Sequence, residues 1–285
     1  VIHDSAFDDY GRLIFPIDME IKDNLKLKDV SSILPWYSEV NTDKTVEIVN
    51  YMKNQAMNGE QIFYPIYSEE EMQADADKKD TGLFFFRGNA GSKTAIINAG
   101  GGFVYVAGIH DSFPHALELS KKGHNAFALI YRPGAQTACE DLARAIAFLH
   151  ENAEQLQIDM TDYSLWGGSA GARMAAWLGS YGTAYFGEKD YPAPAAVIMQ
   201  YTGLSQVTGM EPPIYACVGT SDGIASYRSM ENYISQIQQN GSNTKIEVFK
   251  GLSHGFGLGE GTVAEGWIDR AISFWEDNMN ALDKR

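Results

Sequence analysis

The segment Trp166-Gly167-Gly168-Ser169-Ala170-Gly171 constrains this 285-residue chain more than any other. It closes a short apolar run, residues 163–166, and opens a helix-like stretch, residues 172–180. A serine between a strand and a helix sits on a sharp turn, and only small neighbours let the backbone reverse there. The turn pushes the hydroxyl out of the sheet, towards a substrate. A bare G-x-S-x-G match also fits a glycine-rich helix start in which the serine merely caps. The stronger reading therefore depends on what the rest of the chain supplies.

A nucleophilic serine needs a base, and the base needs an acid to orient it. The apolar run 214–218 leads into Gly219-Thr220-Ser221-Asp222-Gly223, placing Asp222 on the loop after a buried strand. Residues 246–249 alternate as a strand does and lead into Gly251-Leu252-Ser253-His254-Gly255-Phe256-Gly257, placing His254 on the next loop. Both loops leave the carboxyl ends of predicted strands, the edge at which open parallel sheets bind ligands. Serine, acid and histidine follow one another in a recognised chain order, which selects Ser169, Asp222 and His254. The bland alternatives are an ordinary Ser-Asp-Gly turn and a surface histidine. His110 and His115 flank a helix start near the same edge and are the competing bases, but they precede Ser169 and would require another fold order. His3 lies at the chain start, His124 in a turn and His150 on a helix.

The fourth requirement is a set of backbone amides for the charge that develops on a substrate carbonyl. After the predicted strand 94–98 comes Ala99-Gly100-Gly101-Gly102-Phe103. Consecutive glycines let the backbone approach a substrate, so Gly101 and Gly102 are the expected donors, with the amide of Ala170 as the third. A phosphate cradle fits poorly, because neither Lys-Ser/Thr nor a G-x-G-x-x-G spacing into a helix follows.

With these elements in order, the chain from about Lys93 onward resembles the serine esterase branch of the α/β-hydrolases. It is most similar to small bacterial carboxylesterases related to hormone-sensitive lipase and to carbohydrate-ester hydrolases. Tyr131-Arg132-Pro133 at a strand end and Glu140-Asp141-Leu142-Ala143-Arg144-Ala145 in the next helix add to the likeness. Two positions depart from it: Ala99 stands where many relatives carry a histidine that holds the glycine loop, and Arg173 follows where relatives have a small residue or histidine. The resemblance implies an α/β-hydrolase fold, with a mostly parallel central sheet of about eight strands and helices on both faces. It also implies ester hydrolysis with no cofactor.

The alternation along the chain agrees with that fold. Strands are expected at 61–66, 83–87, 94–98, 126–131, 163–166, 195–201, 214–218 and 245–249, and helices at 112–122, 137–156, 170–180, 225–239 and 262–279. Thr137/Glu140 and Thr262/Glu265 read as capping boxes at two helix starts, and Ser68/Glu71 as a third. The first two strands, joined without a helix, should form the antiparallel edge. Residues 1–58 stand apart as an N-terminal extension packed on a catalytic domain at 59–285, with Val46, Val49, Met52 and Ala56 at helical spacing.

A formal net charge of −15 opposes nucleic-acid phosphates and anionic membrane surfaces. No apolar run reaches the length of a membrane span. Localisation reads as soluble, either cytoplasmic or exported with the signal removed, and the oligomeric state is unspecified. Two cysteines, Cys139 and Cys217, give no disulfide framework and no zinc spacing, so no metal is expected. The partner is a small-molecule ester, preferably a short acyl group on a sugar or alcohol, because about a dozen residues between 201 and 214 leave no room for a helical cap. Phe103, Tyr105 and Phe256 flank the motifs as candidate pocket-lining residues, with ordinary core positions as the alternative. A serine exopeptidase of the prolyl type and a non-catalytic binding protein on a hydrolase scaffold remain open at this level.

Overall fold

A computed structural model describes residues 1–279. The strands are β1 (Phe63–Pro65), β2 (Gly82–Phe86), β3 (Lys93–Asn98), β4 (Asn125–Ile130), β5 (Asp159–Gly168), β6 (Ala196–Gln200), β7 (Ile214–Gly219) and β8 (Thr244–Phe249). They form one eight-stranded sheet in the order β1-β2-β4-β3-β5-β6-β7-β8. Strand β2 runs antiparallel to both β1 and β4, and the pairings from β4 through β8 are parallel. The helices are α1 (Thr42–Met57), α2 (Glu69–Ala74), α3 (Gly108–Asp111), α4 (Phe113–Lys121), α5 (Ala135–Glu151), α6 (Ala153–Leu156), α7 (Ala170–Tyr181), α8 (Tyr227–Gln239) and α9 (Trp267–Asn278).

Strands β2, β4, β6 and β7 are buried at every residue. Layers packed on both faces demand this, and it is why these segments read as unbroken apolar runs. The edge strand β8 is different, carrying exposed Lys245 and half-buried Glu247, charges that discourage pairing with a further strand. Among the described residues no helix is long and apolar enough to cross a membrane.

Several local expectations give way to tertiary context. The edge strands β1 and β2 are joined through α2 and a 3-10 turn, Ala76–Asp80, and α2 carries the Ser68/Glu71 capping box. Helix α5 begins two residues before Thr137, at Ala135. Gly134 precedes it with φ of 98° and bonds the Phe103 carbonyl through its amide at 2.9 Å, so the glycine sets the helix start. Helix α9 begins only at Trp267; the Thr262 hydroxyl accepts from the Ala264 amide and the Glu265 carboxylate from the Gly261 amide, which makes a loop of turns. Helix α1 turns Ile48, Val49 and Met52 inward and leaves Val46 38% exposed, a rotation of the face expected from sequence.

Residues 1–58 share the core of the sheet. Phe7, Leu13, Ile14, Val30, Ile33, Ile48, Val49 and Met52 belong to the same buried apolar cluster as the strands. Tyr10 stacks on Phe63 and Tyr51 on Phe86, each at 5.6 Å between ring centroids. The first turn of α7 packs closely on the end of β3. A Cβ built on Gly171 would lie 1.9 Å from the Asn98 carbonyl oxygen, a backbone atom with nowhere to move. Gly171→Ala is therefore expected to cost about 3 kcal/mol, seen as a fall in Tm of roughly 5–10 °C. Gly203→Ala, where an added Cβ meets nothing within 4 Å, should leave Tm almost unchanged. Equal melting of the two variants would contradict the close helix-on-strand packing.

Candidate active site

Strand β5 ends at Gly168 and α7 begins at Ala170, so the chain reverses at Ser169 alone. Its φ of 52° and ψ of −118° are sparsely populated for a residue with a side chain, a strain of about 1–3 kcal/mol that persists where the surroundings impose it. The surroundings here are backbone and the Asp111 side chain. A Cβ on Gly167 would lie 2.3 Å from the Gly171 carbonyl carbon, and one on Gly168 would lie 2.4 Å from the Asp111 carboxylate. The glycines serve contact as much as flexibility.

The loops after β7 and β8 meet over this turn. His254 Nε2 lies 3.2 Å from Ser169 Oγ, and His254 Nδ1 lies 2.8 Å from Asp222 Oδ2. The other Asp222 oxygen accepts from the amides of Ile224 at 2.8 Å and Ala225 at 2.7 Å, so both carboxylate oxygens are used. The Asp222 side chain is wholly buried. A carboxylate on Nδ1 holds the proton there and leaves Nε2 as the acceptor facing the serine hydroxyl. The two loops brace each other: the Ser221 amide bonds the Leu252 carbonyl at 3.1 Å and the Gly251 amide the Thr220 hydroxyl at 2.8 Å.

The histidine loop is also clamped from outside. Ser38 donates from its hydroxyl to the His254 carbonyl at 2.8 Å and from its amide to the Gly255 carbonyl at 3.1 Å. His110 Nε2 contacts the same Gly255 carbonyl at 2.9 Å. The Gly257 carbonyl accepts from Gln200 at 2.9 Å and from the Trp267 indole at 3.1 Å. His110 and His115, the competing bases, are thus built into the frame. Both are buried, and His115 Nε2 is 2.7 Å from the Gln200 side-chain oxygen.

The glycine loop crosses beside Ser169. Gly101 and Gly102 have φ of 132° and 65°, values that suit glycine. Among the described residues the amides of Gly101, Gly102 and Ala170 have no hydrogen-bond acceptor, which leaves them available to a developing negative charge. The support that Ala99 does not provide comes from Asp111. Its Oδ2 accepts from the Gly100 amide at 2.7 Å and from the Tyr37 hydroxyl at 2.9 Å, while Oδ1 accepts from the Tyr201 hydroxyl. Burial, and then the negative charge of Asp111, push the hydroxyls of Tyr37 and Tyr201 well above the usual tyrosine range, so both stay protonated as donors. The Tyr131 hydroxyl adds a bond to the Ala99 carbonyl at 2.5 Å.

The expected pocket lining needs correction. Tyr105 is 1% exposed and Phe256 0% exposed, so neither can touch a substrate. Tyr105 lies under Trp36, and Phe256 packs between Tyr201 and Phe249. Phe103 keeps some exposed surface and stacks on Trp177 at 6.1 Å. Arg173 binds the Gly203 carbonyl at 2.7 Å and braces the helix-free connection after β6. Sequence reading missed Asp111, Tyr37, Ser38 and Tyr201. The adjacent aromatic pair Trp36-Tyr37 after Pro35 was the available signal.

The sheet order, the strand-turn-helix at Ser169 and the two strand-end loops define an α/β-hydrolase, and the chain has that fold. Residues 87–212 match the BD-FAE family model, a span that contains Gly101, Gly102 and Ser169 and ends before Asp222 and His254. No curated protein sequence matches the chain. Among solved structures it is similar to apo esterase 2 of Thermogutta terrifontis, with a TM-score of 0.62 and 17% identity over 75% of this chain and 93% of that one. The acetyl ester-xyloside bifunctional hydrolase of Caldicellulosiruptor lactoaceticus gives a TM-score of 0.66 and 18% identity, over 75% and 95%. MGS-M1, an α/β-hydrolase from a Medee basin deep-sea metagenome library, gives 0.58 and 19%, over 70% and 92%. At these identities the likeness speaks for the fold.

Two expectations follow from the frame. Asp111→Ala would strand three donors, two of them fully buried, so turnover should fall at least tenfold and stability by roughly 3 kcal/mol; wild-type rate and Tm would show that the glycine loop does not depend on this carboxylate. The second concerns acid. Burial lowers the His115 pKa from 6.5 to about 4 against the opposing influences of Asp111 and Gln200, and its Nδ1 has no partner among the described residues. The unfolded chain binds a proton where the folded chain does not, so this contribution is whole above pH 6.5 and is lost as pH falls towards about 4. The difference amounts to about 3 kcal/mol. Denaturant titrations of His115→Gln across that range should show a shallower loss of stability than wild type; parallel slopes would mean that His115 is not held neutral.

Proposed function

We propose that the chain is a serine hydrolase of the carboxylesterase type, working through an acyl-enzyme on Ser169. The observation that carries this reading is the continuous relay from Asp222 Oδ2 to His254 at 2.8 Å and from His254 to Ser169 Oγ at 3.2 Å, set beside glycine-loop amides. His254 takes the serine proton as Oγ attacks the ester carbonyl. The amides of Gly101, Gly102 and Ala170 hold the oxyanion, and Asp222 fixes the imidazole tautomer and stabilises its charged form. Collapse of the tetrahedral species transfers that proton to the departing alcohol. Water then attacks the acyl carbonyl as His254 takes its proton; collapse breaks the bond to Ser169 Oγ, which receives that proton back, and the acid leaves.

Short acyl esters of sugars or alcohols are the preferred substrates. The connection 201–213 carries no helix that would wall off a long acyl channel. Among proteins of this fold, the Thermogutta esterase has been solved with propionate bound, and the Caldicellulosiruptor enzyme is named for acetyl esters. An exopeptidase needs an acidic anchor for the peptide amine. Of the three acidic candidates, Glu71 closes the α2 capping box and Glu60 faces Arg87 at 3.4 Å, which leaves exposed Glu39, next to Ser38, as the one anchor for that second reading.

With a short-chain p-nitrophenyl ester, Ser169→Ala should lose on the order of a thousandfold or more in kcat while melting as wild type does, and His254→Ala should be about as damaging. Asp222→Asn should keep the shape, hold the wrong tautomer and lose roughly 10⁴-fold. Retention of more than about a tenth of the activity in the serine or histidine variant would remove that residue from its role.

A further inference from the structure

Residues 35–38 cross the catalytic edge, and three of the four are fastened to it. The Pro35 carbonyl accepts from the Tyr105 hydroxyl, Tyr37 donates to Asp111, and Ser38 bonds the carbonyls of His254 and Gly255. Trp36 differs. Its indole makes no hydrogen bond among the described residues, and the residue is 52% exposed, although most large aromatics of the chain are buried.

The exposed ring is nevertheless held in place. It stacks on buried Tyr105 at 5.7 Å with an interplanar angle of 29°. One edge lies against the glycine loop, where a Cβ on Gly102 would come 3.3 Å from the indole. The Trp36 backbone has φ of 73°, a left-handed conformation that a residue with a side chain adopts at a cost. The fastened residues on either side impose it. The serine is near: a Cβ on Gly100 would stand 2.5 Å from the Tyr37 hydroxyl and 2.8 Å from Ser169 Cβ. An immobilised, half-bare aromatic face therefore sits next to a proposed oxyanion donor. Residues 35–38 also lie outside the matched family span, so this feature belongs to the N-terminal part of the chain.

We propose that Trp36 is a specificity-determining platform that stacks a ring of the ester substrate beside the glycine loop. The proposal rests on the esterase reading above and adds its substrate class: esters that carry a flat ring close to the scissile carbonyl. A rigid indole offers such a ring contact at little entropic cost. The shared chemistry is a flat apolar face, presented by an aromatic ring through its π-system or by a pyranose through its C–H groups.

Three acetate esters test this, because all form the same acetyl-enzyme and differ only in the leaving alcohol: ethyl acetate, phenyl acetate and a monoacetylated methyl pyranoside. For Trp36→Ala, kcat/KM should fall roughly tenfold on one or both ring-bearing esters and less than about twofold on ethyl acetate. Trp36→Phe should restore most of the loss. A fall confined to phenyl acetate identifies aromatic stacking, and one confined to the pyranoside identifies a sugar platform. An equal fall on all three esters, or no fall on either ring, overturns the proposal. Ethyl acetate turnover and Tm report whether each variant is folded, and Trp36→Leu serves if the alanine variant is not. Wild type inert towards all three esters would instead overturn the esterase reading. In that event, calorimetric titration with a phenyl pyranoside, which has no ester to cleave, still decides: weaker binding by Trp36→Ala supports the platform, and equal binding refutes it.

Discussion

The backbone reversal at Ser169 is the constraint on which the rest of this structure depends. A residue with a side chain is held at positive φ between a strand and a helix, and the chain on either side must then run close against its neighbours. Gly171 meets the end of β3 and Gly168 meets the Asp111 carboxylate, where any Cβ would collide. The Asn98 side chain bonds the Trp166 carbonyl at 2.9 Å, tying β3 to β5 just below the turn. The strain is local and the contacts that impose it come from several elements, so the serine is presented by the whole upper edge of the sheet.

Two buried carboxylates then divide the work of that edge. Asp222 is satisfied by His254 and two backbone amides. Asp111 is satisfied by the Gly100 amide and two tyrosine hydroxyls. A buried charge is tolerable only when donors surround it, and here each donor set does something further. The Asp222 set orients the imidazole. The Asp111 set joins the glycine loop to Tyr37 from the N-terminal segment and to Tyr201, whose ring lies 5.0 Å from that of His254. The two carboxylates are thus held at the site by imidazole, hydroxyl and amide donors.

Much of this was legible in the sequence because it is local. A glycine-flanked serine after an apolar run, a strand-end aspartate and a strand-end histidine can each be placed without knowing what they touch. The sheet followed from unbroken apolar runs that only two-sided burial explains. What stayed hidden is long-range. Tyr37 lies 74 residues from its partner Asp111, and Ser38 lies 216 residues from the carbonyl it binds. Nothing near Asp111 in sequence separates a buried loop anchor from an ordinary acidic helix end. Tyr105 and Phe256 were misread for the same reason: an aromatic beside a motif faces the core or the solvent according to packing that its neighbours in sequence do not reveal. Thr137 and Thr262 show the local version of the limit, since Gly134 and a run of turns decided those helix starts.

The proposed chemistry stands on the Ser169 hydroxyl as a nucleophile activated by His254. The most direct measurement is the intact mass of the protein after exposure to a fluorophosphonate, followed by peptide mapping. One adduct per chain is expected, on Ser169, with near-complete loss in His254→Ala over the same exposure. Unmodified wild-type protein, or an adduct on another residue with Ser169 untouched, would contradict it.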